Sequence, residues 1–446
     1  MQKYISMVEK HRQKMLDAMD YIWKHPESGY REWNTHSYMK AAFEDMGYSI
    51  REAGNIPGFT ALVDTGRPGP TVAVFGEMDS LINFDHPACN PETGAVHSCG
   101  HCAQAAALIG LAAALKEPGA LDEMSGKILL VAVPAEELIE IEYRLQLRKE
   151  GKIRYFGGKP EFLYRGLLDG VDLSFMIHTA CQPSHSGSCA AGTNGLVAKT
   201  VEFSGVAAHA GSSPHLGVNA LYAANLSLNA INALRETFHE KDHIRVHPII
   251  TAGGDAVNAI PDRVRMECYV RGATVETIAE ANRKVNRAIA ASAVAMGAKV
   301  RITDIPGYLP RYYGADYREV FRQAMGAVLE TVNYDNPTWG GSSSDMGDIT
   351  SIMPGIHPHI GGAKGISHGS NYEIADPDTA VVDSAKVQMV ALKLLLENGA
   401  AQASKIVANY RPVFASKEAY FAFVDGLAQD VQAVTYSEDG SVQLRF

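Results

Sequence analysis

Lys127-Ile-Leu-Leu-Val-Ala-Val-Pro-Ala-Glu-Glu137 is an unbroken apolar run that ends on a proline and two adjacent acids. A strand that is apolar on both faces has to be covered on both, and strands of this kind belong to parallel sheets flanked by helices. Two more runs share the character, Thr71-Val-Ala-Val-Phe75 and Leu173-Ser-Phe-Met-Ile177. An Ala/Leu-rich stretch at residues 103–115 reads as a buried helix. Helices alternating with two-sided strands predict an α/β fold, a doubly wound and mostly parallel sheet. An amphipathic helix over residues 4–23 precedes it, with apolar positions at three- and four-residue intervals.

Between about Gly195 and Asp304 the rhythm changes. Residues 196–203 read as a strand, 219–237 as a helix, 245–251 and 263–270 as strands, 275–296 as a long Ala-rich helix and 299–305 as a closing strand. The order β-α-β-β-α-β is that of a ferredoxin-like unit, inserted into the first domain. Pro306-Gly-Tyr-Leu-Pro310 is the exit turn. A helix at 317–331, a Gly/Ser loop at 340–344 and a final helix from 384 to 397 then complete the first domain. The expected division is residues 1–190 with 306–400, an insert at 191–305, and a C-terminal stretch, 401–446, that the pattern leaves unassigned.

A length of 446 residues suits two or three domains at roughly 150 residues each. The 46% apolar and 20% charged fractions are those of a soluble globular protein. A net charge of -10 argues against nucleic acid or an anionic membrane as partner. The N-terminal residues mix charge with apolar side chains and lack a signal-peptide core, and the apolar run at 105–115 falls short of the ~20 residues a membrane span needs. Six cysteines are sparse for this length and suit a reducing compartment. The expectation is a soluble, cytoplasmic protein.

His97-Ser-Cys-Gly-His-Cys102 has two chemical readings. Cys99 with Cys102 is a Cys-x-x-Cys pair suited to thiol–disulfide exchange; Cys99 with His101 is a thiolate and an imidazole suited to a metal. Four other places bear on the choice. Glu136 and Glu137 end a strand where open α/β sheets place their ligands, and adjacent side chains on extended backbone point apart. One can bind a metal while the other serves as general base, although a solvated pair capping the next helix is the plainer alternative. His178 ends the third apolar strand, and His368 sits in a Gly/Ser loop; either could be merely structural. Gly340-Gly-Ser-Ser-Ser-Asp-Met-Gly347 offers backbone N–H groups to an anion, or is a plain turn. Together Cys99, His101, Glu137, His178 and His368 supply a thiolate, three imidazoles and a carboxylate. That is too many ligands for one tetrahedral zinc and about right for two metals ~3.5–4 Å apart sharing a ligand. The predicted helix after His101 directs its N-terminal dipole at Cys99, which favours a thiolate.

In order along the chain stand Met78-Asp-Ser-Leu-Ile82, His97-Ser-Cys-Gly-His101, Pro134-Ala-Glu-Glu137, Ile177-His-Thr179, Ser342-Ser-Ser-Asp-Met-Gly347 and His368. The insert adds Ser204-Gly-Val-Ala-Ala-His-Ala-Gly-Ser-Ser-Pro214, Gly217-Val-Asn-Ala220, Asn258-Ala-Ile-Pro261 and Tyr269-Val-Arg271. With these motifs the chain resembles the M20 metallopeptidase/amidohydrolase superfamily, especially its branch of aminobenzoyl-glutamate hydrolase-like and N-acyl amino acid amidohydrolases. The resemblance spans roughly residues 10 to 398. It implies a metal-dependent hydrolase of N-acyl amino acids, aminobenzoyl-glutamate-like compounds or small dipeptides. Two divalent ions per subunit (zinc, manganese, cobalt or nickel) would be held by Cys99, His101, Glu137, His178 and His368. Glu136 is then the general acid/base, and His209 stabilises the oxyanion, reaching across a homodimer formed through the insert. Asn258, Arg271, Gly341 and Ser342 are the implied substrate-binding residues, with Arg271 suited to a carboxylate.

Two departures stand out. The residue after His101 is commonly Asp in the family and is Cys102 here, which removes an expected support for His101. The segment 138–168 is longer and more charged than usual. The rival readings are a thiol–disulfide redox protein using Cys99 and Cys102, and a non-catalytic relative that binds N-acyl amino acids.

Overall fold

Six strands form the central sheet of the first unit in the computed structural model, in the order Ile50–Glu52, Phe59–Asp64, Lys127–Val133, Thr71–Glu77, Leu173–Phe175, Gly355–Ile356. The last four run parallel and the first two are antiparallel additions at one edge. The structure describes residues 1–334 and 338–446. In Lys127–Val133 every residue after Lys127 is buried, as two-sided apolar character requires. The helix His101–Leu115 is buried along its whole length. Its alanines let the helices Arg12–Lys24 and Ser384–Asn409, the latter broken by non-helical backbone at Glu397 to Ala400, pack closely against it.

This unit comprises residues 1–192, 312–339 and 344–413. It differs from the expected elements in three places. The N-terminal helix is two, Gln2–Glu9 and Arg12–Lys24. The break falls at Lys10-His11, whose side chains both reach Glu117, at 2.6 and 3.0 Å. The helix expected to run to residue 331 is Ala315–Gly326; beyond it Thr331–Asn333 pairs in parallel with Ser186–Ser188. The charged segment after Glu137 folds as two short helices, Ile141–Lys149 and Gly158–Tyr164.

The second unit comprises residues 193–311, 340–343 and 414–446. Its antiparallel sheet has the order Arg245–Ala252, Arg263–Gly272, Gly195–Ser204, Lys299–Pro306, Gln429–Tyr436, Val442–Leu444. The first four strands, with helices Ala220–Leu234 and Val275–Ala295, make the ferredoxin-like insert. Alternate residues of Arg263–Gly272 are buried, the signature of a sheet covered on one face. Asn219 caps the first helix and a Thr274/Thr277 capping box starts the second. Beneath the second helix lies the fully buried Lys199. Its ammonium donates to Asn282, Asn286 and Asp304 at 2.5, 2.6 and 2.6 Å. The stretch after residue 400 divides: up to 413 it continues the first unit, and from 414 it supplies a helix, Lys417–Leu427, and the last two strands of this sheet. No helix of the described residues is long and apolar enough to cross a membrane.

Candidate metal centre

The carboxyl ends of the parallel strands Thr71–Glu77, Lys127–Val133 and Leu173–Phe175 lie side by side, where open α/β sheets bind ligands. Glu77, Asp79, Glu136, Glu137 and His178 follow from these ends. Cys99 and His101 enter from the start of the helix His101–Leu115. Gly100, at φ +91°, takes the left-handed turn between them that a side chain would resist.

Each group that follows offers one ligand atom per residue, all within 4.8 Å of one another: Cys99, His101 and His178; Cys99, Glu137 and His368; His101, Glu136 and Glu137. The Cys99 sulfur is 3.4 Å from His178 Nε2, and His368 Nε2 is 3.4 Å from Glu137 Oε1. The five residues expected as ligands, with Glu136, thus converge from segments up to 269 positions apart (368 less 99).

Asp79 organises the two central donors. His101 Nδ1 lies 3.1 Å from both the Asp79 carboxylate and its main-chain oxygen, so Nδ1 carries the proton and Nε2 is left for a cation. The other Asp79 oxygen accepts the backbone N–H of Glu137 at 2.8 Å. Burial would raise this carboxyl, but His101 and the Glu137 N–H hold it down at about 2. The expected loss of support at position 102 is therefore corrected: Asp79 supplies it, and Cys102 is a fully buried core residue.

The loop that carries the glutamates is held on several sides. Ala135 adopts φ +56°, a conformation that disfavours any side chain, and its N–H donates to Glu32 at 2.7 Å. The fully buried Arg144, from the charged segment, donates to the main-chain oxygens of Phe156 at 2.6 Å and of Glu137. Gly158 lets its helix approach this loop: a Cβ there would sit 1.7 Å from the Pro134 oxygen.

Burial pushes the Glu136 carboxyl well above the ordinary range, and the nearby Glu77, Glu137 and Asp345 add to it. Burial, with Glu137, likewise raises the Cys99 thiol. A pocket in which buried acids and a thiol crowd together fits divalent cations, and a mixed set of sulfur, imidazole and carboxylate donors suits borderline ions. Cys99 and Cys102 are free thiols. Burial drives Cys102 up to about 12, which leaves little thiolate for exchange and counts against the redox reading.

In the second unit His209 is exposed and pairs with Ala259 in an isolated bridge, while Ala210 N–H donates to the Asn258 oxygen at 2.9 Å. The amides of Gly211 and Ser212 both donate to His209 Nδ1, at 3.1 and 3.0 Å, so the neutral ring carries its proton on Nε2. Arg271 donates to Ser343 Oγ at 2.9 Å, in the loop with Gly341 and Ser342, both exposed. His209 and Asn258 form one group in this unit, and Arg271 with the 340–343 loop another.

Sequence reasoning missed Glu32, Lys159, His357 and Glu77, quoted Asp79 and Asp345 without giving either a role, and met Arg144 only as part of the charged segment. Lys159 is fully buried between Glu77, at 2.5 Å, and Asp345. The His357 ring lies 5.5 Å from that of His178. Glu77 carried a usable signal, since it ends an apolar parallel strand just as the Pro134–Glu137 loop does.

Fold and site together describe an α/β domain with a buried cluster of metal-ligand side chains, and a second, ferredoxin-like domain inserted into it. Residues 191–296 match the family model described as "Peptidase dimerisation domain". The chain is 29% identical over 280 residues to one of the subunits of p-aminobenzoyl-glutamate hydrolase from Escherichia coli (strain K12), an alignment covering 59% of this chain and 52% of that protein. It is 29% identical over 369 residues to the Xaa-Arg dipeptidase of Mus musculus, covering 79% of this chain and 77% of that one. The chain thus spans about half the length of the first relative and three quarters of the second. Its fold matches that of a Bacillus subtilis protein described as a dinuclear metal binding peptidase from the M20 family, with TM-score 0.64, 18% identity and coverage of 87% of this chain and 99% of that one. The chain therefore carries a peptidase dimerisation domain and shares its fold with a protein described as a peptidase of the M20 family.

Proposed function

We propose that this protein hydrolyses the amide bond of N-acyl amino acids, aminobenzoyl-glutamate-like compounds or small dipeptides, giving a carboxylate and a free amine. What carries the reading is the convergence of Cys99, His101, Glu137, His178 and His368 around Glu136 at the carboxyl edge of the sheet. Those five residues would hold two divalent ions. Bound there, such ions polarise an amide carbonyl and lower the pKa of an attacking water toward 7.

The remaining steps belong to the chain itself. Glu136, starting as a carboxylate whose proton affinity is raised by burial, accepts a proton from the attacking water and passes it to the leaving nitrogen. Asp79 keeps His101 in the tautomer that presents Nε2. His209, with Nδ1 occupied by two backbone amides, donates from Nε2 to the carbonyl oxygen as that oxygen gains charge. It reaches that oxygen across a homodimer built on the insert. Asn258 and Arg271 hold the substrate, Arg271 at its carboxylate with the Gly341-Ser342 backbone in the same loop as its partner Ser343.

The test is elemental analysis of the purified protein, followed by a screen of N-acyl amino acids and dipeptides with the metal restored. Glu136→Gln should lower turnover by roughly 10²–10⁴-fold while metal content stays at the wild-type level. Loss of metal on that substitution would make Glu136 a ligand and overturn its assigned role.

A further inference from the structure

Glu77 has no part in the reading above, yet it is fully buried and one of its oxygens faces the same centre. Its Oε1 accepts from the Lys159 ammonium at 2.5 Å, and Lys159 in turn pairs with Asp345. Its Oε2 makes no hydrogen bond among the described residues and lies 3.3 Å from His101 Nε2, which also makes none. Because His101 Nδ1 is committed to the two Asp79 oxygens, Nε2 is the ring nitrogen left to face Glu77. A carboxylate oxygen and a ring nitrogen that face each other 3.3 Å apart in a buried site, with no hydrogen bond between them, are placed to share a cation. Glu77, Glu136 and Asp345 also offer ligand atoms within 4.8 Å of one another, with Lys159 covering the side away from His101.

We infer that Glu77 is a further metal-facing donor of this centre, held by Lys159 so that Oε2 shares a divalent ion with His101 Nε2. The inference rests on the metal-dependent reading above. Lys159 supplies a fixed counter-charge at Oε1, and this leaves only Oε2 for the metal. Glu77 would then add a second carboxylate to Glu137 and harden a donor set otherwise dominated by sulfur and nitrogen.

The full-length protein, stripped with a chelator, is titrated with Zn²⁺ against a chromophoric competitor and with Co²⁺ followed by visible absorption. Wild type should take up two equivalents. Glu77→Gln should bind one of them at least about 10-fold more weakly and change the Co²⁺ spectrum. Glu77→Asp, which keeps the charge facing Lys159 but withdraws the oxygen, should show the same loss with an unchanged circular dichroism spectrum, and it serves if Glu77→Gln does not fold. Two equivalents bound with wild-type affinity and spectrum by the folded variant overturns the role of Glu77 alone. Equal weakening of both equivalents together with a lowered melting temperature of the stripped protein marks a structural residue and overturns it as well. No uptake by wild type overturns the metal-dependent reading itself.

Discussion

Replacing Arg144 by Met tests whether the charged segment after Glu137 supports the centre. The guanidinium is fully buried and donates to the carbonyls of Phe156 and Glu137. Methionine fills much of the same volume without a donor. Hydrogen bonds to a charged group contribute about 1.5–3 kcal/mol each, so losing two removes about 3–6 kcal/mol. Relief from burying a cation returns part of this, which leaves a net loss of about 2–4 kcal/mol. The Glu137 peptide then keeps Asp79 on its N–H and only the Ile139 N–H, at 2.9 Å, on its oxygen. Freeing a group that orients a ligand typically weakens metal binding 10–100-fold. Thermal unfolding of the stripped protein and chelator competition on the loaded one read the two effects separately. Arg144→Lys should fall between, because a point donor cannot span two carbonyls. Wild-type metal affinity in Arg144→Met would refute the reasoning and reduce the segment to packing.

Cys99→Ser should abolish tight metal uptake, whereas Cys102→Ser should keep metal content and most turnover while losing about 1–3 kcal/mol for a hydroxyl in an apolar core; elemental analysis and melting curves decide, and an inactive Cys102→Ser with a reversible disulfide in wild type would restore the redox reading. In the second unit, Lys199→Met strands the buried Asp304 and should destabilise by about 3–5 kcal/mol, much of it recovered in Lys199→Met/Asp304→Leu, as followed by urea unfolding. Burial and the neighbouring Asp79 hold the Glu32 carboxyl well above its ordinary range. The unfolded chain releases that proton above about pH 4.3 while the folded chain retains it, so wild type loses stability as pH rises from there toward the folded-state value. Glu32→Gln keeps an acceptor for the Ala135 N–H without that proton, so its melting temperature should match wild type near pH 4 and exceed it increasingly toward neutrality; parallel curves from about pH 4 to 7.5 would disprove the assignment.

What could be read in the sequence was what neighbours in sequence decide. The strand Lys127–Val133 declares itself because its own side chains need cover on both faces, and the insert because its strands alternate or run apolar in a fixed order. The ligand types stood out as motif residues, and the structure brings them together. The supports did not stand out. Arg144, Glu32 and Lys159 look like surface charges until the fold delivers partners; for Lys159 these lie 82 and 186 positions away. The break at Lys10-His11 likewise depends on Glu117, and the strand Gln429–Tyr436 is mostly polar because it joins a sheet already built.

The two edges of the second sheet differ in a way that bears on stoichiometry. At one end the sheet finishes on the eight-residue strand Arg245–Ala252, whereas at the other it tapers to the three-residue Val442–Leu444. A sheet with a long edge at both ends can add copies without limit, each presenting a fresh edge to the next. One with a single extended edge can meet only its own kind there, strand to identical strand about a two-fold axis. A homodimer of the kind proposed above, if built on this edge, would therefore close on itself. The short final strands would act as a chain terminator on assembly, and lengthening them would invite filaments.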